Sequence, residues 1–193
     1  MKTTPTTSKV FIAGSRRLSR LNPSVRRRID NIIEKGLTVI IGDASGVDKA
    51  VQTYLSEKHY GSVIVFCMDD ACRNNVGNWP VRKIHATESK RRDFAYYSTK
   101  DRAMATEADY GFMLWDGHSR GTLTNIVNLV RDGKPVVLCV APSKSFQTIR
   151  DPSQLIQLLG QIDSDASRKV DQELSALKPK PSREPTTGSL LLF

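Results

Sequence analysis

Five short apolar runs constrain this chain more than any other feature: Lys9–Gly14, Leu37–Gly42, Ser62–Cys67, Tyr110–Trp115 and Pro135–Val140. They are short, bounded by turn residues and rich in β-branched side chains, and they lack the apolar–polar alternation of a half-solvated strand. Each therefore reads as a strand covered on both faces. Such strands belong to parallel sheets, and parallel strands need crossover segments between them. Those segments are present. Asn22 caps and Pro23 starts a helix on which Val25, Ile29, Ile32 and Ile33 recur at helical spacing, and Gly36 ends it. Ser45 or Asp43 can cap a second helix carrying Val47, Val51, Tyr54 and Leu55. Further helices are predicted over Ser98–Ala108 with Ser98 or Thr99 as cap, over Thr122–Val130, and over Pro152–Ile162. The expected fold is α/β: a Rossmann-like parallel sheet of about five strands with helices on both faces. Met68–Tyr97 reads as one long polar loop, of the kind that is functional or disordered.

With 193 residues, 39% of them hydrophobic, the chain suits one compact domain plus some unpacked sequence. We expect a disordered N-terminus over 1–8, a nucleotide-binding domain over 9–163, and a mostly flexible tail over 164–193 that includes the extended linker Lys178-Pro179-Lys180-Pro181. No apolar run approaches the ~20 residues of a membrane helix, and Met1–Ser8 has no signal-peptide core. The expected localisation is cytoplasmic, with no membrane partner. Cys67, Cys72 and Cys139 are too few, and too apolar in setting, for a disulfide framework, and they read as buried reduced thiols. No Cys/His set completes a zinc site, so no metal is expected. The formal net charge of +9 implies anionic partners, nucleic acid among them. Arg16, Arg17, Arg20, Arg26, Arg27 and Arg28 fall close together with no acid between them: some form a solvated helix face and the rest are available to phosphate.

Ligands of open α/β sheets bind outside the carboxyl ends of the strands. That edge collects three glycine-rich segments: Ala13-Gly14-Ser15-Arg16-Arg17, Gly42-Asp43-Ala44-Ser45-Gly46-Val47-Asp48 and Asp116-Gly117-His118-Ser119-Arg120-Gly121-Thr122. Glycine lets backbone N–H groups approach a phosphate, and a helix starting beside it adds its positive dipole end. Candidate ligand-binding residues are therefore Gly14, Ser15, Arg16, Arg17, Gly42, Asp43, Gly46, Asp116, Gly117, Ser119, Gly121 and Thr122, with Trp79 in the polar loop as a stacking surface for a base. Asp43, Asp48 and Asp116 are the candidate catalytic carboxylates: each can accept from a ribose hydroxyl, act as a general base or stabilise a cation. Their alternative readings are a helix cap for Asp43, a salt bridge for Asp48 and a turn residue for Asp116. His118 in the third segment and His85 complete the titratable groups near this edge.

Phe11-Ile12-Ala13-Gly14-Ser15-Arg16, the Gly42–Asp48 segment, Lys100-Asp101-x-x-Met104 and Trp115-Asp116-Gly117-x-Ser119-x-Gly121-Thr122 together resemble the SLOG superfamily. That group includes the lonely-guy phosphoribohydrolases, the Rossmann domain of DNA-processing protein A and small bacterial YpsA-like proteins, and the likeness is greatest to the last. The resemblance spans residues 9–142 and implies a Rossmann-like fold binding nucleotides or their derivatives, with a homodimer as a family expectation. Its enzymatic branch cleaves the N-glycosidic bond of nucleoside monophosphates with an Arg-Lys-x-x-Met run and a Pro-Gly-Gly-x-Gly-Thr-x-x-Glu loop. Aligned on Gly121-Thr122, the glutamate position is Asn125; aligned on Met104, the arginine and lysine positions are Lys100 and Asp101. Lys100 and Asn125 therefore join the candidate ligand-binding residues, and the hydrolytic machinery does not carry over intact. Three functions stay open: a nucleotide sensor or binding protein that needs no cofactor, an N-glycosidase, and a DNA-associated protein. The last has a second form, because Ser189-Leu190-Leu191-Leu192-Phe193 resembles a sliding-clamp peptide anchored by Leu190, Leu192 and Phe193.

Overall fold

The computed structural model describes residues 7–85 and 93–160. In chain order the elements are β1 (Lys9–Gly14), α1 (Pro23–Glu34), β2 (Thr38–Gly42), α2 (Val47–Glu57), β3 (Val63–Met68), β4 (Val81–Ile84), α3 (Phe94–Glu107), β5 (Tyr110–Trp115), α4 (Arg120–Arg131), β6 (Val136–Val140), β7 (Ser145–Ile149) and α5 (Pro152–Gly160). The sheet has seven strands in the order β4-β3-β2-β1-β5-β6-β7, parallel throughout except for the β6–β7 pair.

Alternation along each strand divides the core in two. Val10 and Ile12 of β1, with Val39 and Ile41 of β2, meet Val25, Ile29 and Ile32 of α1 and Val47, Val51 and Leu55 of α2. Phe11 and Ala13, with Ile40, Phe66, Met113 and Trp115, meet Met104 of α3, Leu123 and Ile126 of α4, and Leu155 and Leu158 of α5. Apolar residues on both sides of every central strand are what turn the continuous apolar runs into a covered parallel sheet.

Seven strands replace the expected five, and the two additions are the ones least apolar in sequence. β4 (Val-Arg-Lys-Ile) lies inside the segment read as one loop; it is an exposed edge strand, so it carries no buried run to betray it. β7 (Ser-Phe-Gln-Thr-Ile) folds back antiparallel on β6 through the turn at 141–144. Helix starts shift as well. Asp93, accepting from the Tyr96 N–H at 3.0 Å, caps α3 a turn earlier than Ser98 or Thr99 would. α2 starts behind Gly46, which has no side chain to cap it, and the carboxylate of Asp43 is bound to Arg73 instead. The sulfurs of Cys67 and Cys72 are joined as a disulfide, in place of the two reduced thiols expected; the loop after β3 turns back far enough to bring their Cα atoms to 5.1 Å. Cys139 is free and buried. Among the described residues, no helix is long and apolar enough to cross a membrane. The expectations for residues 1–6, for the end of the last helix beyond Gly160, and for the tail with Leu190, Leu192 and Phe193 lie outside the described residues.

Candidate functional site

The sheet changes winding direction between β1 and β5. From β1 the chain runs outward through β2 and β3 with α1 and α2 on one face; it then returns to β5 and β6 with α3 and α4 on the other. A crevice opens where the neighbouring loops diverge in this way. Ser15, just beyond β1, donates its hydroxyl to Asp116 Oδ2, just beyond β5, at 2.6 Å, so one hydrogen bond ties the two lips together.

A cavity of about 510 Å³ occupies this crevice. Gly14, Ser15, Arg16 and Arg17 form one wall, and Asp116, His118, Ser119, Arg120, Gly121, Thr122 and Asn125 form the opposite one. α3 closes a third side with Phe94, Tyr97, Ser98, Lys100, Asp101 and Met104, while Ala44, Asp48 and Arg73 come from the β2 and β3 side.

The three carboxylates differ sharply. Asp116 accepts the Ser15 hydroxyl on one oxygen and the N–H groups of His118 (3.0 Å) and Ser119 (2.7 Å) on the other. Burial pushes its pKa upward, but these bonds outweigh it and hold the group below the usual carboxylate range. Asp43, almost wholly buried, receives the Arg73 guanidinium at 2.6 and 3.1 Å and the Arg73 N–H at 3.1 Å. Burial again raises its pKa, and the Arg73 bonds with the charges of Lys100 and Arg73 more than reverse it. Asp48 is the exception. It accepts one backbone N–H, from Ala44 at 3.2 Å, and burial pushes its pKa up to about 6 against the pull of Lys100.

Lys100, 3% exposed, reaches this group from α3 with its Nζ 3.4 Å from Asp101 and 3.7 Å from Asp43. Asp48 and Lys100 meet over Gly42, where an added Cβ would stand 2.5 Å from Asp48 Oδ2 and 2.7 Å from Lys100 Nζ. Gly46 works in the same neighbourhood. At φ +78° it turns the chain into α2, and a Cβ there would lie 2.5 Å from the Arg16 backbone.

Two further details bear on a ligand. α1 and α3 have side-chain caps in Asn22 and Asp93, whereas α4 begins beside the cavity with no capping hydrogen bond. The first N–H groups of such a helix are open to an anion. Asn125, 5% exposed and one turn into α4, has a buried Oδ1 with no hydrogen-bond partner. A buried acceptor of that kind is costly unless a donor supplied by a ligand satisfies it.

Of the residues predicted from sequence, Gly14, Ser15, Arg16, Arg17, Asp48, Lys100, Asp116, Ser119, Gly121, Thr122 and Asn125 line one cavity. Gly42, Asp43, Gly46 and Gly117 stand behind its wall rather than on it. Trp79 is packed elsewhere: its Nε1 donates to the Tyr60 carbonyl, Asn75 brackets its backbone, and its ring belongs to the core on the α1–α2 face. The aromatic groups at the cavity are instead Phe94 and Tyr97. Tyr97 lies between two guanidiniums, Arg73 at 4.8 Å and Arg16 at 5.4 Å, and Arg120 stands 4.4 Å over Phe94. His85 sits 3.4 Å from Asp69, away from the cavity lining.

No family model and no curated protein matches the chain. Its fold is similar to the solved structure of DNA processing protein A from Helicobacter pylori, a protein described as binding single-stranded DNA. The TM-score is 0.52 at 15% identity, over 87% of this chain and 80% of that one. At that identity the likeness concerns the Rossmann-like architecture.

Proposed function

We propose that this protein binds a nucleotide or nucleotide-derived phosphate ester in the cavity between β1 and β5, as a sensor or binding protein of the SLOG type. The observation that carries this reading is the pairing of positive charge with an unpartnered buried acceptor in one crevice. Arg16, Arg17, Arg73 and Arg120 rim it beside the uncapped start of α4, and the unpartnered Asn125 Oδ1 waits on its wall. Guanidiniums and helix N–H groups suit a phosphate; a buried amide oxygen suits a ribose hydroxyl or a base amine. The test is calorimetric titration with adenosine 5′-monophosphate and with adenosine. Binding that requires the phosphate, and that weakens at least tenfold (about 1.4 kcal/mol) in Arg16→Ala and Arg120→Ala, supports the reading. Absence of binding by mono-, di- and dinucleotides at millimolar concentration refutes it.

Two other readings each have specific support. Asp48 lies on the cavity wall with its pKa raised by burial to about 6, the range of a carboxyl that exchanges a proton during N-glycosidic cleavage. Release of free base from nucleoside monophosphates, abolished in Asp48→Asn, is the outcome that reading requires. Single-stranded nucleic acid is favoured by the exposed Arg16, Arg17, Arg20, Arg26 and Arg27 and by what the structural neighbour is described as binding. Affinity for an oligonucleotide should then fall steeply with salt, and a salt-independent or absent complex removes this reading.

A further inference from the structure

The cross-link between Cys67 and Cys72 takes no part in the site chemistry above, yet it borders the residue that shapes one wall. Cys67, buried, is the penultimate residue of β3; Cys72, half-buried, lies in the following loop, and their Cα atoms are 5.1 Å apart. The residue after Cys72 is Arg73. Its N–H and guanidinium make three hydrogen bonds to Asp43, its guanidinium lies 4.8 Å from the centre of the Tyr97 ring, and it lines the cavity. A carboxylate oxygen of Asp43 is within 4.8 Å of both sulfurs. The rest of the loop has other anchors: Asn74 and Val76 bond to Asp43 and Gln52, and Asn75 holds Trp79. The disulfide therefore acts locally, on Cys72 and Arg73.

We propose that the Cys67–Cys72 pair is a thiol–disulfide switch that sets the position of Arg73 at the cavity wall. In the reducing direction, the thiolate of a dithiol or a small thiol attacks the sulfur of Cys72, the less buried residue of the pair. The S–S bond breaks, and Cys67 leaves as a thiolate that takes up a proton. A second thiolate resolves the mixed disulfide, so Cys72 also becomes a thiol and the reductant leaves as its own disulfide. Two electrons and two protons enter the protein. Unbonded sulfurs no longer fit where bonded ones did, because non-bonded heavy atoms rest at roughly 3.5–4.0 Å, whereas a disulfide spans ~2.05 Å. Cys67 is fixed by the sheet, so Cys72 moves outward and takes the Arg73 backbone with it. The Arg73–Asp43 bonds and the Arg73–Tyr97 contact then change together. Metal capture by the same three groups is disfavoured, since both Asp43 oxygens already receive Arg73.

The experiment poises the full chain in glutathione redox buffers and uses three readouts. Alkylation with mass measurement should show a two-electron transition between one thiol, Cys139, and three. Hydrogen exchange at the Arg73 amide should speed up at least about tenfold on reduction, without global loss of protection. Affinity for adenosine 5′-monophosphate should weaken on reduction, and the Cys67→Ser/Cys72→Ser variant should hold the reduced-state affinity whatever the buffer. A pair that stays as thiols in the oxidising buffer overturns the proposal. So does an unchanged Arg73 amide, equal affinity in both states, or stoichiometric zinc uptake by the reduced chain. The inference rests on the proposed nucleotide site only for its third readout. If the nucleotide binds neither state, that site reading fails, and the switch is decided by thiol count and Arg73 exchange.

Discussion

At the scale of single residues, the site separates carboxylates that the sequence could not rank. Asp43 and Asp116 are held below the usual carboxylate range by several hydrogen bonds each, whereas Asp48, with one, is raised above it by burial. Asp48 is the acid whose folded pKa, about 6, lies above its unfolded value near 3.8. The folded state therefore binds more protons than the unfolded state between those values. Stability falls as pH rises through that window and is level above it. Asp48→Asn should remove this dependence, so the gain of the variant over the parent is larger at pH 8 than at pH 4, by a few kcal/mol at most. Urea denaturation at the two pH values measures it; an equal difference at both would show that Asp48 carries no such penalty. Arg73→Ala acts in the opposite sense, stranding a buried Asp43 with Lys100 at 3.7 Å. A loss of about 2 kcal/mol is expected, below the full cost of a broken buried pair because the Arg73 side chain is partly exposed. The shift in denaturation midpoint reads it.

Elements explain why some of the site was legible and some was not. The walls from β1, α2 and α4 follow apolar strands whose ends the sequence marks with Gly14, Gly42 and Gly117, which is enough to place those segments on one edge. The α3 wall was hidden. With its start expected at Ser98 or Thr99, Phe94 and Tyr97 fell in the loop, out of phase with Lys100, Asp101 and Met104. Capped by Asp93, the helix carries all five on the side that meets the cavity. β4 and β7 escaped for a related reason: a strand with exposed or mixed residues leaves no run to detect. Trp79 shows the converse, an aromatic whose loop setting suggested a ligand but whose indole was needed to close the core. Gly46 tests the element scale. Gly46→Ala must adopt φ +78° and press on the Arg16 backbone. A destabilisation of about 1–3 kcal/mol is expected, with weaker nucleotide affinity because the displaced segment carries Arg16. Thermal denaturation and titration check the two effects; a variant with parental stability would show that the β1–α1 turn yields freely.

For the whole molecule, the two cores share one sheet, and its two tryptophans report from opposite faces: Trp115 beneath α4, Trp79 on the α1–α2 side. Strands buried on both sides couple the faces, so unfolding one layer exposes the other. Leu155→Ala in α5, a fully buried residue of the Trp115 core, should cost about 2–5 kcal/mol. Single-tryptophan variants should place the transition at the same denaturant concentration from either side, and separate midpoints would show that the layers melt independently.

The four-residue strand β4 ends the sheet with Val81 exposed and with Arg82 and Lys83 paired to Glu107 and Asp70. An open sheet rim is a template onto which another chain can add its backbone. This rim is only one turn of pleat long and carries adjacent positive charges, so a second copy aligned against it would meet its own arginine and lysine. At this edge of the sheet, the outermost strand thus disfavours the backbone pairing of one copy onto another.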